Sequence, residues 1–328
     1  MKKYLVTGAT GFLGSAVTAE LLAHDTKVYT LVLPDDPLAA SLPKSVTAVT
    51  GDVCDEASLA GLFSFADSET VVIHCAGIVS ISSQPGENLY RVNVEGTHNI
   101  INQCILHKVA KLVYVSSVHA IQEAPPGMVM TEPFSVSDSL VSGHYAKSKA
   151  KATSLVIEAI RNRLQASLVF PSGIIGPGDT QEGSITRMLL SFLTGKLPFA
   201  VSGGYDFVDV RDVAKGIVSC AERGKSGSSY ILSGHYATIR DILELVKKET
   251  GLKQGVHCLP IGLARKIAPL YERISEKKNK TPFFTPYSIA VLASNGLFSH
   301  RAATAAFGYA PRPLQETLRD TLLWLQSE

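Results

Sequence analysis

Tyr145 and Lys149 stand four residues apart in the run Tyr145-Ala146-Lys147-Ser148-Lys149. In a helix that spacing sets both side chains on one face, about 5–6 Å apart at Cβ. A free phenol keeps its proton to roughly pH 10. A neighbouring ammonium favours the phenolate and lowers that value. Such a pair can give a proton to an oxygen, or take one from it, near neutral pH. The spacing also occurs by chance on exposed helices, so its meaning depends on the elements around it.

A hydroxyl stands upstream. Lys111-Leu112-Val113-Tyr114-Val115 reads as a buried strand and ends at Ser116-Ser117. A serine at a strand end can donate to a carbonyl and hold developing alkoxide charge. No base partner for a nucleophilic serine is implied.

The N-terminus carries the third part. Tyr4-Leu5-Val6 leads directly into Thr7-Gly8-Ala9-Thr10-Gly11-Phe12-Leu13-Gly14, and apolar residues recur at helical spacing through Val17, Leu21 and Leu22. Strand, glycine turn and helix is the context in which such a motif is informative. Gly8 suits the tight turn, Gly11 lets a pyrophosphate approach the backbone, and Gly14 lets helix and strand pack closely. The free N–H groups at the start of the helix would face the anion.

The spacing is GxxGxxG, and TGATGFLG resembles the extended branch of the short-chain dehydrogenase/reductase superfamily, the NAD-dependent epimerase/dehydratase family. The resemblance runs over nearly the whole chain, with its specific motifs in the first 215 residues. It implies an α/β fold: a doubly wound parallel sheet with helices on both faces, plus a smaller C-terminal α/β substrate domain. The implied division is interleaved, with residues 1–170 and 205–235 in the nucleotide-binding domain and 171–204 and 236–328 in the smaller one.

The resemblance also assigns roles. Tyr145 is the expected general acid/base, Lys149 its activator and the holder of the nicotinamide ribose, and Ser117 rather than Ser116 the group on the substrate oxygen. Asn93 matches a family asparagine that supports its helix and, in many members, a proton relay. Thr10, Phe12 and Leu13 join the three glycines around the dinucleotide. Asp52 and Val53 fall where the family contacts adenine, and Cys75, Ala76 and Gly77 where small residues let a flat cofactor lie close. His74 is read as structural. Pro171 and Gly173 open the turn Pro171-Ser172-Gly173-Ile174-Ile175-Gly176-Pro177, which covers the nicotinamide in the family.

The end of the second strand bears on cofactor choice. Val32 and Leu33 occupy the family's acidic and arginine positions, so neither diagnostic residue is present. Asp35 and Asp36 follow and would repel a 2′-phosphate. NAD is therefore expected over NADP, although the pair also suits an ordinary Pro/Asp turn.

Sugar-nucleotide members carry an asparagine where Ser172-Gly173 lie, and this chain looks more like the dihydroflavonol-reductase and 3β-hydroxysteroid-dehydrogenase side. The expected reaction interconverts a ketone and a secondary alcohol on a largely nonpolar small molecule. The alternatives are a nucleotide-sugar epimerase with tightly bound NAD and, less favoured, a dinucleotide sensor without turnover. Val118-His119 replaces the Asp-Glu of the family's dehydratases.

The remaining features set bounds. The loop from Gln122 to Gly143 reads as a lid or substrate loop, beside which His119 and Ile121 could face substrate. Asp212 is expected to cap the helix after Asp209-Val210-Arg211, with Asp209 and Arg211 structural. Pro260, Pro269, Pro282 and Pro286 are expected to break residues 255–300 into several short helices. The resemblance implies a substrate-pocket wall there, and Leu263, Ile267, Leu270, Tyr271, Phe283, Phe284 and Tyr287 fit that or a small-domain core equally well. With 328 residues, 45% hydrophobic and 18% charged, the chain is globular. Net charge +2 recruits neither nucleic acid nor an anionic membrane, so neither is expected as a partner, and the run Lys277-Lys278-Asn279-Lys280 reads as a solvated loop. Cys54, Cys75, Cys104, Cys220 and Cys258 lack metal or CxxC spacing and are read as reduced, mostly buried thiols of a cytoplasmic protein. No metal site is expected. Oligomeric state is open, homodimers being common in the family.

Overall fold

The structure, a computed structural model, describes residues 1–197, 199–255, 257–278 and 281–327. Asn279 and Lys280 of the basic run lie outside the described residues. The first half alternates strands and helices: β1 (Lys2–Thr7), α1 (Phe12–Leu22), β2 (Thr26–Val32), β3 (Thr47–Thr50), α2 (Ala60–Phe63), β4 (Val71–His74), α3 (Thr97–Leu106), β5 (Lys111–Val115), α4 (His144–Arg161) and β6 (Ala166–Pro171). The second half runs β7 (Gly173–Ile175), α5 (Ser184–Leu193), β8 (Ala200–Val201), β9 (Gly204–Asp209), α6 (Val210–Arg223), β10 (Ser229–Leu232), β11 (His235–Thr238), α7 (Ile239–Thr250) and β12 (Cys258–Leu259). Four helices close the chain: α8 (Ile261–Lys277), α9 (Pro286–Leu292), α10 (Arg301–Phe307) and α11 (Leu314–Ser327).

Seven strands form one parallel sheet in the order β10-β6-β5-β4-β1-β2-β3. The central strands β1, β4, β5 and β6 are nearly continuous apolar runs because helices cover both faces of the sheet. The chain winds outward from β1 in one direction and from β4 in the other. The crevice beyond their carboxyl ends is therefore the topological switch point, where open α/β sheets bind ligands. Gly8, Cys75 and Ser116 each follow directly on β1, β4 and β5 at that edge.

A three-stranded sheet, β11-β9-β7, and a two-stranded pair, β12-β8, belong to the smaller layer. β9 thus joins β7 and β11 rather than the large sheet. α10 packs back on α6 and β10, so Ala303, Phe307 and Tyr309 enter the core cluster under that side of the large sheet.

Ion pairs fasten the C-terminal segment to α6. Asp209, not Asp212, is the N-cap of α6, its carboxylate accepting from Arg211 N at 2.8 Å and pairing with the Arg211 guanidinium at 2.7 Å. Asp212 faces away from Arg211 and takes Arg312 instead, at 2.9 Å and through Arg312 N at 2.7 Å. The expected cap is thereby moved three residues upstream. The reason is geometric: the cap must precede the first helical residue, and the helix starts at Val210.

Two further expectations change. Pro269 sits inside α8 and does not end it. Cys104 and Cys220 are buried, whereas Cys54, Cys75 and Cys258 are partly exposed, and all five are free. Among the described residues no helix is long and apolar enough to cross a membrane.

Arg312 is expected to carry much of the C-terminal attachment, since the Asp209 side chain is 0% exposed and the Asp212 side chain 8%. Arg312→Ala should lower unfolding free energy by about 3 kcal/mol, because it leaves the buried Asp212 carboxylate without its guanidinium while Asp209 keeps Arg211. Urea unfolding followed by circular dichroism measures it; a midpoint unchanged from wild type would show the network to be energetically idle.

Candidate active site

α4 places the acid/base pair. It begins at Gly143, and Tyr145 and Lys149 fall on its buried side in the first two turns, 9% and 6% exposed. Lys149 Nζ donates to Val115 O at 2.7 Å, the last carbonyl of β5, and lies 4.9 Å over the Tyr114 ring. Thr153, one turn further along α4, shares a 2.6 Å hydrogen bond with Ser116. Ser116 is thus committed to packing β5 against α4. Ser117 stays at the site, capping the turn Val118–Ala120 by accepting from His119 N at 3.2 Å.

Electrostatics depart from the expectation that Lys149 makes Tyr145 acidic. Burial raises the Tyr145 phenol, and the pull downward comes from the Ser117 hydroxyl. Burial also pushes Lys149 down to about 8, with Cys75 pulling weakly the other way. In a desolvated site both charged forms are penalised, so a protonated phenol and a readily neutralised amine are the resting state.

Asn93 lies in a π-helical turn, Arg91–Gly96, that leads into α3. Its amide closes on Ile78, accepting from Ile78 N at 2.7 Å and donating to Ile78 O at 3.0 Å, and it donates to Ser148 Oγ at 3.0 Å. Ser148 in turn donates to Tyr145 O at 2.8 Å. Asn93 therefore clamps the loop after β4 to the catalytic helix. His74 is structural as read: its ring is shared by Thr7 at 2.6 Å and Thr97 at 3.1 Å, and burial lowers it to about 3.

The glycine turn is in tight backbone contact at Gly8 and Gly14 and open at Gly11. Gly8 adopts φ +74°, and a Cβ there would lie 2.7 Å from Ala76 N. A Cβ at Gly14 would overlap Gly8 O at 1.9 Å, so helix and turn are in backbone contact. At Gly11 the same construction meets only Gly8 O at 3.4 Å, and no side chain caps α1. The first N–H groups of α1, including those of Phe12 and Leu13, are left for an anion. Thr10 sits half-buried in the turn.

Gly77 borders Asn93 and Lys149, a Cβ there falling 3.2 Å from Asn93 Oδ1 and 3.8 Å from Lys149 Nζ. Cys75 N bonds Thr7 O at 3.1 Å and Ala76 N reaches Thr7 Oγ1 at 3.3 Å, so this stretch stays parallel to β1. Gly173 starts β7 directly after Pro171 and Ser172, close against Asp206 O.

The outer positions are more exposed. Leu33 is 54% exposed just past β2. Asp35 has φ +59°, and Asp36 accepts from Leu38 N at 2.9 Å, so the pair builds a turn with Asp35 exposed at its corner. Asp52 accepts from Cys54 N at 2.9 Å and lies 3.8 Å from Arg91, while Val53 is buried against Gly96.

An aromatic cluster from three distant segments adjoins Tyr145. The His119 ring lies edge-on to Tyr145 at 5.6 Å and stacks on Tyr205 at 5.5 Å. Its nitrogens meet Tyr287 OH at 3.0 Å and Tyr205 OH at 3.4 Å. Burial lowers His119 to about 4, so the ring is neutral. His119 was legible as a substrate-side candidate, and Tyr287 as one of the aromatic residues of 255–300 that suit a pocket wall or a small-domain core. Tyr205 was not, since no local pattern marks it; both tyrosines lie in the smaller layer.

The model of the NAD dependent epimerase/dehydratase family matches residues 4–233, and the chain belongs to that family. It is therefore an NAD-linked enzyme of the extended short-chain dehydrogenase/reductase type. Sterol demethylase protein B of Methylococcus capsulatus is 29% identical over 325 residues, 98% of each chain. A putative dihydroflavonol 4-reductase of Synechocystis is 28% identical over 332 residues, 99% of this chain and 94% of that one. The crystal structure of gox2253 superposes with TM-score 0.86 at 31% identity, over 100% of this chain and 98% of that one. UDP-glucuronic acid 4-epimerase from Bacillus cereus, solved with NAD, shares the fold with TM-score 0.74 at 19% identity, over 99% of each chain.

Gly143 joins the cluster to α4. It holds φ +90°, and a Cβ there would lie 2.2 Å from Tyr287 Cε2. Gly143→Ala should destabilise the protein by about 1–3 kcal/mol through backbone strain alone. Combining it with Tyr287→Ala should recover part of the loss by removing the overlap. Thermal unfolding of the two single variants and the double variant tests this; strictly additive losses would show that ring and glycine are not in contact.

Proposed function

We propose that this enzyme interconverts a ketone and a secondary alcohol on a largely nonpolar small molecule. The observation that carries the reading is the buried constellation of Ser117, Tyr145 and Lys149 beside the glycine cradle. Tyr145 holds the proton passed to or from the substrate oxygen, Ser117 orients that oxygen, and Lys149 holds the ribose side of the dinucleotide. Gly8, Thr10, Gly11, Phe12, Leu13 and Gly14 would receive its pyrophosphate, Asp52 and Val53 its adenine, and Cys75, Ala76, Gly77, Pro171 and Gly173 its nicotinamide end. The dinucleotide supplies the hydride.

Burial raises the Tyr145 phenol, which suits it to donate a proton at neutral pH and so to assist carbonyl reduction. Oxidation of the alcohol gains as pH rises. NAD is proposed over NADP, supported by Asp35 exposed at the corner after β2 and by the lack of an arginine at Leu33. Asn93 is proposed to act by positioning α4.

The names of relatives support a nonpolar substrate. They include the sterol demethylase protein of Methylococcus and mouse 3 beta-hydroxysteroid dehydrogenase type 7, 28% identical over 362 residues. Against a nucleotide sugar stands Ser172, where sugar-nucleotide members carry asparagine nearby. Its hydroxyl is buried and donates to Asp206 at 2.5 Å. The proposed domain division keeps residues 1–170 and 205–235 with the cofactor and 171–204 and 236–328 with the substrate. β9, which pairs in the smaller sheet, and α10, which packs on the cofactor side, are exceptions.

Tyr145→Phe should lower turnover at least about a hundredfold while leaving NADH binding intact, general acid catalysis contributing on that order. Ketone-dependent NADH oxidation across a panel of ketones and sterols, with fluorescence titration of NADH, measures both. Undiminished turnover would remove Tyr145 from the chemistry. The pH profile gives a second test. kcat/KM reports the free enzyme, so the reductive rate should fall as pH rises through about 8, where Lys149 loses its proton. A profile level to roughly pH 10, the range of an ordinary phenol, would show that the ammonium is not required.

A further inference from the structure

α8 leaves one apolar face uncovered. Ala264, Ala268, Glu272 and Ser275 are buried along its inner side. Leu263, Leu270 and Ile274 stand outside, 48%, 64% and 43% exposed. Their spacing of seven and then four residues draws one stripe along the helix. Lys266, Arg273 and Lys277 repeat the same spacing on the adjoining edge and are all exposed. No ion pair among the described residues engages these three cations.

Glu272 does not neutralise the edge. It is turned inward, accepting from Ser83 N at 2.8 Å. That bond, with the one from Thr285 Oγ1 to Ile81 O, laces the segment around Ile81–Ser83 to α8 and α9. Val79, 75% exposed, precedes that segment, and Phe283, 39% exposed, precedes α9. Large exposed apolar groups gathered on one element mark a contact surface.

We infer that α8 docks on an anionic phospholipid surface. Leu263, Leu270 and Ile274 enter the boundary between headgroups and acyl chains, and Lys266, Arg273 and Lys277 meet the lipid phosphates. An apolar stripe with a basic edge is the pattern of helices that lie in the plane of such an interface. The cations add attraction to anionic lipid that a neutral bilayer does not offer. Charge also speaks against a second copy of this chain. An antiparallel isologous pairing of two α8 helices sets each basic edge against the same edge of its partner. The chain's small net charge hides this local concentration.

The surface has a consequence for the site, which rests on the proposed nonpolar substrate. α8 packs on α9, and α9 carries Tyr287 to His119 beside Tyr145. A substrate dissolved in the bilayer would meet the enzyme through the same layer that lines its site.

Flotation of the full chain with vesicles tests the inference without any turnover, so its outcome is independent of the proposed reaction. The protein should float with phosphatidylcholine vesicles containing phosphatidylglycerol, and salt should release it. Lys266→Glu combined with Arg273→Glu should reduce the bound fraction at least about tenfold. Leu263→Ser combined with Leu270→Ser should do likewise, with thermal unfolding and NADH titration unchanged in both variants. Equal binding to pure phosphatidylcholine, no binding to either vesicle, or variants that float like wild type would each overturn it. So would a dimer in sedimentation that Leu270→Asp abolishes.

Discussion

Lys149 is an amine taken out of water with no carboxylate beside it. Among the described residues its hydrogen-bond partner is one backbone carbonyl, Val115 O at 2.7 Å, supplemented by the face of Tyr114. A buried cation in such surroundings is held at a cost of several kcal/mol unless its proton affinity falls, and here it falls to about 8. The fold must therefore keep α4 pressed on the end of β5 against that penalty. Ser116 with Thr153 and Asn93 with Ser148 are the contacts that do so. Tyr145 lies one turn earlier on the same face, and its position follows from theirs. A buried, partly neutralised amine beside a phenol in a crevice is hard to explain as core packing, and its natural reading is a site for a polar ligand.

The smaller layer completes this arrangement. Tyr287 lies on Gly143, where α4 begins, and Tyr205 stacks on His119, just past Ser117. The loop between these points, residues 122–143, is strapped down along part of its length. Asn295 donates to Met128 O at 2.6 Å and Pro125 O at 3.1 Å, and Glu123 accepts from Asn295 N at 2.7 Å. Met130 bonds Leu297 and Ser299 through its backbone. These bonds fix the loop's first half as a strap across the smaller layer, and Glu132, accepting from Ile231 N at 2.8 Å, and Val136 O, accepting from Ser154 Oγ at 3.0 Å, pin it on either side of Phe134, which is 100% exposed.

Local pattern was enough for much of this. Apolar runs of four to six residues, the glycine turn and the four-residue Tyr/Lys spacing each depend on neighbours in the chain, and each element appears within a residue or two of its expected place. What was hidden depends on partners far away. Arg312 reaches Asp212 across 100 positions, and His119 meets Tyr205 and Tyr287 across 86 and 168. The direction of the Tyr145 shift was hidden for a related reason: the four-residue spacing suggests an ammonium's pull, but the burial that raises the phenol exists only once the layers close, and the group that opposes it is the Ser117 hydroxyl. Pro269 misled because a proline ends a helix only when tertiary packing does not sustain it, and α8 buries Ala264, Ala268 and Ser275 on either side of it.

Asp206 shows how the two layers share one crevice. It accepts from Ser172 Oγ at 2.5 Å and Gly234 N at 2.7 Å, tying β9 to the turn after β6 and to the exit from β10. Burial lifts its carboxyl to about 6 despite both hydrogen bonds. As a raised acid, it favours folding most below its unfolded value of 3.8, and that support is lost as pH rises through about 6. A carboxylate kept in so unfavourable a place makes sense as the junction of three strands. It also occupies the Ser172 hydroxyl, removing a polar group from the crevice wall. With that hydroxyl spent on the protein's own structure and His119 held neutral, the wall of Tyr205, Tyr287 and His119 offers rings more than charges. Such a wall favours shape and apolar contact over charge, as the proposed nonpolar substrate would require.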